Sequence, residues 1–360
     1  MKKKYLKYTI SKTLTIKQAL LSMNSLNRKA LVVSESGEYG GVVSIGDIQR
    51  ALLSDYGLDT TVSTIYRPAN DTTFKYLGES MDSIKARMVK ERIEMMPIVD
   101  ESMNLHDIII WDDFFEGSIA PSKRDIQVPV VIMAGGLGTR LKPLTNIIPK
   151  ALVPVFEKPI VQEIIERLNQ QGATRFLLTV NYKAEMIENY FNGLGTLPYS
   201  IEFLHETEAR GTAGSLNLLA DKINETFIVT NCDIMLDQDY SDILDYHRSS
   251  ANDITIVGAL KNFDVPYGVL HTKKGGALSR IEEKPEKSYL INTGFYVLEP
   301  TVLKDIPAQD FFHMTHLIEK VIARGGNVGV FPVNEQAWLD MGDWYEYDKM
   351  HVRLLKNNLN

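Results

Sequence analysis

Apolar and polar positions follow two different patterns along this chain. In the first part, short apolar segments alternate with polar turns, and residues 30–47 are echoed by residues 96–113 at an offset of 66 residues. Each copy predicts a helix, a strand, a turn, a second strand and a second helix. Ser36-Gly37 and Asn104 lie where the two hairpin turns are expected.

The second pattern starts at Val128 and alternates strands with helices. The apolar run Val128–Met133 predicts a strand that is buried on both faces. Residues 160–168 carry a large aliphatic residue every four positions, which predicts an amphipathic helix that ends near Gly172. This alternation predicts an α/β fold of βαβ units with a largely parallel sheet and ligands at the carboxyl ends of its strands.

The length of 360 residues and one change of composition suggest where the domains divide. Residues 117–127 turn to small and polar types, which is typical of a linker. We predict a smaller α/β domain over 1–120, with repeats at about 9–56 and 72–118, a linker over 121–127 and a second domain over 128–360.

Composition excludes several classes of protein. A net charge of −7, from 39 basic and 46 acidic residues, argues against a nucleic-acid partner. Cys232 is the only cysteine, which excludes an internal disulfide framework and a cysteine-based zinc cluster. No apolar run approaches the ~18 residues of a membrane span, and none follows the basic start as in a signal peptide. We expect a cytoplasmic protein with no membrane partner.

The segment at residues 134–145 carries the strongest chemical signal. Three glycines in four positions let backbone N–H groups approach a phosphate chain, and Arg140 adds a forked donor for phosphate oxygens. The dinucleotide-binding fingerprint fails because Leu141 stands where glycine or alanine is needed, and no Gly-Lys-Ser/Thr P-loop motif is present. Lys150 lies ten residues past Arg140, where its ammonium can reach the same phosphates.

Gly-Gly-x-Gly-Thr-Arg-Leu-x-Pro-Leu-Thr at residues 135–145, followed by Pro149-Lys150, resembles the signature of the sugar-1-phosphate nucleotidyltransferases. Further matches run through most of residues 128–345. The resemblance implies the nucleotide-diphospho-sugar transferase fold, which is a Rossmann-like, doubly wound mixed sheet, and an enzyme that needs Mg²⁺. In this reaction a sugar-1-phosphate attacks the α-phosphate of a nucleoside triphosphate, and pyrophosphate leaves.

The resemblance also implies a role for each matching residue. The implied catalytic residues are Arg140, Lys150 and Lys284. The implied nucleotide-binding residues are Gly135, Gly136, Gly138, Thr139, Glu206, Gly211 and Thr212. The implied sugar-phosphate residues are Gly268, Glu283, Asn292 and Thr293. The implied Mg²⁺ ligands are Asp233 and Asp340, which only the fold can bring together.

The chemistry of Glu206 favours GTP as the nucleotide donor. A carboxylate can accept two hydrogen bonds from guanine N1–H and N2–H₂, whereas thymine and uracil offer one N–H. The alternatives are a thymidylyl- or uridylyltransferase acting on glucose-1-phosphate, and a non-catalytic protein that senses nucleotides.

The first domain resembles a CBS-domain pair, a regulatory module. In that family a hydroxyl residue three positions before an Asp binds a nucleotide, and Ser44 and Asp47 match this pattern. The second copy keeps Asp113 but has Ile110 in place of the hydroxyl residue. Two interpretations stay open: a site for a regulatory nucleotide, or a module that only supports oligomerisation. The resemblance implies a homo-oligomer.

The combination of a CBS-like pair with this transferase is similar to bacterial guanylyltransferases that make GDP-glucosamine for legionaminic-type acids. GDP-mannose pyrophosphorylases are the other similar group. The predicted acceptor is therefore glucosamine-1-phosphate or mannose-1-phosphate, and the product would serve surface-glycan or nonulosonic-acid synthesis. Residues 344–359 carry spaced aromatic and aliphatic residues and predict a docking helix.

Overall fold

A computed structural model describes residues 4–26, 28–70, 73–91, 93–110, 125–155, 157–208, 210–308 and 310–348. The chain forms two compact units, residues 1–123 with 345–360, and residues 124–344. The described residues from Tyr345 onward are grouped with the first unit, whereas the predicted second domain extends to residue 360. Asp113, the helix predicted after it and residues 349–359 of the predicted docking helix lie outside the described residues.

The first unit repeats one arrangement of a helix followed by a hairpin. Its elements are β1 (Thr9–Ile10), α1 (Ile16–Leu26), β2 (Ala30–Glu35), β3 (Glu38–Ser44), α2 (Ile45–Leu53), β4 (Arg67–Pro68), β5 (Lys75–Tyr76), α3 (Met81–Glu91), β6 (Met95–Val99) and β7 (Leu105–Ile110). The strands form the sheets β1-β2-β3-β4 and β5-β6-β7, in which β2–β3 and β6–β7 are antiparallel hairpins.

Both hairpins turn through residues with positive φ. Ser36 and Gly37 have φ of 53° and 91°, and Met103, next to the predicted turn residue Asn104, has φ of 62°. Apolar residues from both repeats, including Val32 and Met95, pack into one core. The two repeats therefore fold as one body, while the resemblance to a CBS pair stays a prediction.

The second unit is larger. Its elements are β8 (Val130–Met133), β9 (Pro154–Val155), β10 (Lys158–Pro159), α4 (Ile160–Gln170), β11 (Arg175–Val180), α5 (Ala184–Asn192), β12 (Ser200–His205), α6 (Gly211–Gly214), β13 (Phe227–Asn231), β14 (Ile234–Leu236), α7 (Tyr240–Ser249), β15 (Ile254–Asp264), β16 (Val269–Thr272), β17 (Leu278–Glu282), β18 (Glu286–Leu298), α8 (Met314–Ala323), β19 (Val328–Asn334) and β20 (Trp338–Asp340).

Seven of these strands form one mixed sheet in the order β12-β11-β8-β13-β18-β15-β19. Strand β18 runs antiparallel to both β13 and β15, and the other neighbouring pairs are parallel. This confirms the predicted mixed α/β sheet. Residues 130–132 of β8 are fully buried, as expected for a strand covered on both faces. The predicted amphipathic helix is α4, which buries the aliphatic residues spaced along it.

Two short connections place polar residues at one edge of this sheet. The carboxyl end of β8 leads into the glycine-rich loop, and the carboxyl end of β13 leads to Asp233. Strand β14 then pairs with the distant β20 in a separate two-stranded sheet. Within the described parts of the chain, no helix is long and apolar enough to cross a membrane.

Candidate active site

The two predicted metal-binding aspartates are neighbours in the fold. The antiparallel register of β14 and β20 sets Ile234 opposite Asp340, and the N–H of Met341 donates to the Asp233 carbonyl at 3.0 Å. Two residues more than a hundred positions apart in sequence thus share one site at the carboxyl end of β13.

A cavity of about 270 Å³ opens beside these aspartates. Five predicted site residues line it: Arg140, Asp233, Asn292, Thr293 and Asp340. Five further residues also line it: Asn231, Ile234, Gly294, Tyr296 and Trp338, of which Gly294 directly follows the predicted Asn292 and Thr293.

Lys150 forms an ion pair with Asp233 next to this cavity. Only 14% of the Lys150 side chain and 6% of the Asp233 side chain is exposed. Burial alone would lower the pKa of Lys150, but attraction to Asp233 and Asp340 outweighs it and raises the pKa above its usual value. Lys150 is therefore a fixed positive charge at the site.

The charged form of the Asp340 carboxylate is unfavourable in this site. Burial, together with repulsion from Asp233, raises its pKa to about 6, although Lys150 and Arg140 pull it down. Its Oδ1 atom is buried and has no hydrogen-bond partner among the described residues.

These two carboxylates suit a Mg²⁺ ion that completes its shell with phosphate oxygens and water, because Mg²⁺ takes one or two protein carboxylates in such sites. A cation here would satisfy the unpartnered Asp340 oxygen and remove the repulsion from Asp233. In the described part of the chain no three His, Cys, Asp or Glu residues cluster as a metal site.

The glycine-rich loop packs against residues of the predicted nucleotide site. A Cβ on Gly135 would lie 2.7 Å from Glu206 Oε1, and one on Gly138 would lie 3.0 Å from Lys150 Cβ. Gly138 also has φ of 62°, which favours glycine. Burial raises the pKa of Glu206. The structure therefore brings Gly135 together with Glu206.

The rest of this loop faces open space. Gly136 has no atom near its Cβ position, and Thr139 lies exposed in the short 3₁₀ turn that carries Arg140. These residues leave the backbone of the loop accessible to a ligand.

Gly211 and Thr212 make structural contacts of their own. Gly211 has φ of 78°, and a Cβ there would lie 2.7 Å from the carbonyl oxygen of Phe312. The Thr212 hydroxyl accepts a hydrogen bond at 2.9 Å from the N–H of Met314, the first residue of α8. These contacts hold the segment against α8, and nucleotide binding by these two residues stays a prediction.

The predicted sugar-phosphate residues fall into two groups. Asn292 and Thr293 line the cavity, but the Thr293 hydroxyl already donates a hydrogen bond to the Val257 carbonyl at 2.8 Å. The second group lies around the exposed β16–β17 hairpin and does not line the cavity; its members are Gly268, Glu283 and Lys284. Within that group, Glu283 Oε2 lies 3.0 Å from the Cβ position of Gly268.

Ser44 and Asp47 of the first unit form a capping box at the start of α2. The Ser44 hydroxyl and N–H both donate to Asp47 Oδ2, at 2.6 and 2.7 Å. Asp47 is 4% exposed and also forms ion pairs with Arg50 and Arg67. Every polar side-chain atom of Ser44 and Asp47, the residues predicted to bind a regulatory nucleotide, already has a partner within the protein.

The unpredicted cavity residues carry weak sequence signals. Asn231 directly precedes Cys232-Asp233, and Trp338 lies two residues before Asp340 on the same strand. Both positions follow from the strands that carry the aspartates. Gly294 and Tyr296 depend on an irregularity of β18 that has no local signature.

The chain belongs to the nucleotidyl transferase family, whose model matches residues 129–357. Mannose-1-phosphate guanylyltransferase 1 of Arabidopsis thaliana is 33% identical over 226 residues, which is 60% of this chain and 62% of that protein. A UTP–glucose-1-phosphate uridylyltransferase of Synechocystis is 30% identical over 60% of this chain and 61% of its own length. The chain thus spans about three fifths of the length of these curated relatives.

Solved structures also match part of this chain. HddC from Yersinia pseudotuberculosis matches 63% of this chain and all of its own chain, with a TM-score of 0.51 and 30% identity. A second structure of HddC, in complex with GMP-PN, matches equally well at 29% identity.

Proposed function

We propose that this protein is a sugar-1-phosphate nucleotidyltransferase that transfers a nucleoside monophosphate, with GTP as donor, and releases pyrophosphate. The observation that carries this proposal is that Asp233 and Asp340 are neighbours and lie beside Lys150 and Arg140. These residues lie at the edge of the sheet where the glycine-rich loop begins.

Such a site performs the transfer by positioning its substrates and neutralising charge. The attacking oxygen of a sugar-1-phosphate is already an anion, so no general base is needed. Arg140 and the loop at Gly135–Gly138 would hold the outer phosphates, and Lys150 would stabilise the charge that develops at the α-phosphate.

The charged residues around this chemistry have further roles in the proposal. Asp233 and Asp340 would hold Mg²⁺, which when bound neutralises phosphate charge. Lys284 would bring in the acceptor phosphate, although it lies outside the cavity lining, and this part of the proposal requires movement of the exposed turn.

GTP is supported by Glu206, by the guanylyltransferases among the relatives and by the structure of HddC in complex with GMP-PN. Glu206 lies against Gly135, so a base bound there would stay next to the phosphate-binding loop. The proposed acceptor is glucosamine-1-phosphate or mannose-1-phosphate. The uridylyltransferase relative keeps uridylyl transfer to glucose-1-phosphate as the alternative.

A pyrophosphate-release assay tests this proposal. Purified protein with Mg²⁺ is given each of GTP, ATP, UTP and dTTP with glucosamine-, mannose- or glucose-1-phosphate. We expect release with GTP and one of the first two sugars. A signal with UTP or dTTP alone would keep the reaction and refute the donor, and silence from folded protein in every combination would favour a nucleotide sensor.

Glu206→Gln tests the choice of base directly. An amide accepts through one oxygen and donates through its NH₂, which fits uracil or thymine better than the N1–H and N2–H₂ of guanine. We expect the kcat/KM ratio of GTP to UTP to fall at least about tenfold. An unchanged ratio would place base selection elsewhere.

A further inference from the structure

Asn231 presents an amide with no partner at the wall of the cavity. It is the last residue of β13 and lines the cavity with Asp233. Its side chain has no hydrogen bond to any residue that the structure describes. An amide at a cavity wall offers one acceptor and two donors to whatever enters.

Gly294 makes room for this amide. A Cβ at Gly294 would lie 2.5 Å from Asn231 Nδ2, so a side chain at this position would displace the amide. Gly294 has φ of 80°, and the register of β18 against β15 shifts between Tyr296 and Asn292 on either side of it. A bulge of this kind redirects side chains beside a site.

The same bulge sets a second donor at the wall of this cavity. Tyr296 is 5% exposed, and its oxygen accepts a hydrogen bond from Asn292 Nδ2 at 2.9 Å. Burial raises the pKa of the Tyr296 phenol, so it keeps its proton. That O–H has no acceptor among the described residues and therefore remains available to a ligand.

Asn231 and Tyr296 are neutral, which separates them from the phosphate-binding groups. Arg140 and Lys150 supply the positive charge that phosphates require, whereas an amide and a phenol match an uncharged hydroxyl group. Glu206, the proposed base reader, does not line this cavity. The hydroxyl that enters is therefore one of the sugar rather than one near the base.

We infer that Asn231 and Tyr296 bind one hydroxyl group of the sugar and thereby set which sugar-1-phosphate the enzyme accepts. This inference rests on the proposed transfer function. A site built to hydrogen-bond a hydroxyl rejects an analogue that lacks it, because its own buried polar groups are then left unpaired.

The test compares the preferred sugar-1-phosphate with analogues that each lack one of its hydroxyl groups, in the pyrophosphate-release assay. We expect the wild-type enzyme to discriminate against one analogue at least about 100-fold in kcat/KM. Asn231→Leu, which keeps the branched shape and loses the polar atoms, should remove most of that discrimination at this one position. Tyr296→Phe should do the same, with the KM for GTP unchanged.

Two controls make the outcome specific. Asn192→Leu, the same substitution at an exposed position of α5, should behave as wild type. Replacing GTP with 2′- and 3′-deoxy-GTP separates the sugar from the ribose, and loss of ribose discrimination in Asn231→Leu would overturn the inference. Equal losses for every deoxy analogue, or no change, would overturn it as well. An inactive wild-type enzyme would refute the proposed function itself, whereas an active enzyme indifferent to both variants refutes only this inference.

Discussion

The start of α2 and the cavity at the end of β13 both place carboxylates and polar side chains at element ends, but only one of them leaves those groups without partners. At the start of α2, the Asp47 carboxylate is bonded to Ser44 and to two arginines. At the cavity, Asp340 Oδ1 and the Asn231 amide lack protein partners within the described residues.

This difference separates polar groups that stabilise the fold from those available to a ligand. A satisfied capping box contributes to helix stability in the absence of any ligand. A buried carboxylate oxygen without a partner costs stability, and such groups persist where binding requires them. Substitutions at the two places should therefore have opposite consequences.

The largest expected effect is at Asp233. Asp233→Asn keeps the shape and removes the charge that pairs with Lys150 and would bind the metal, so turnover should fall by about 10²–10³. The fold should stay intact, because the amide oxygen of the new asparagine can still accept from Lys150 and the negative charge of Asp340 remains nearby. Pyrophosphate release and thermal unfolding measure the two effects.

Asp221→Asn is the matched control for this variant, since Asp221 is an exposed aspartate. It should leave turnover unchanged. Wild-type turnover in Asp233→Asn would refute the metal assignment.

The second largest effect concerns Asp340, where a substitution should stabilise the metal-free protein rather than destabilise it. Its folded pKa of about 6 lies above the ordinary value of 3.8 for an aspartate, so the folded state binds the proton more tightly than the unfolded chain. Asp340 therefore destabilises the metal-free protein above about pH 6, and this penalty disappears as the pH falls toward 4. Asp340→Asn should raise the free energy of unfolding by about 2 kcal/mol at pH 7.5.

Urea unfolding in the presence of a chelator at pH 7.5 and at pH 4.5 measures this. The stabilisation should shrink at the lower pH, and the same variant should lose transfer activity when Mg²⁺ is restored. A variant that is no more stable than wild type at pH 7.5 would show that Asp340 is satisfied within the protein.

Local patterns predicted the elements that bear the site better than the site itself. The apolar run of β8 and the four-residue spacing of α4 follow from burial on two faces and on one, so they can be read from neighbouring residues. Asp233 and Asp340 were paired only through resemblance to a family. Their contact depends on β14 meeting β20, which no local period encodes.

The residues that sequence reasoning missed depend on irregular backbone. Tyr296 reaches Asn292 because β18 bulges at Gly294, and a regular alternation of strand positions would not predict that contact. The reverse holds at Gly211, where the motif suggested a nucleotide but the glycine also admits the Phe312 carbonyl. A glycine in a motif does not tell whether a ligand or another part of the chain approaches it.

The smallest expected effect is at Ser44, in the capping box at the start of α2. Ser44→Ala removes the hydroxyl that caps α2, which should lower the free energy of unfolding by about 1 kcal/mol and leave turnover unchanged. Urea unfolding of the full chain, with and without adenine or guanine nucleotides, measures it. The capping box predicts the same loss under all conditions, because Ser44 and Asp47 satisfy each other. If a nucleotide stabilises the wild-type protein but not Ser44→Ala, the hydroxyl binds that nucleotide too, and a fully partnered cluster would then be as able to bind a ligand as an unpartnered one.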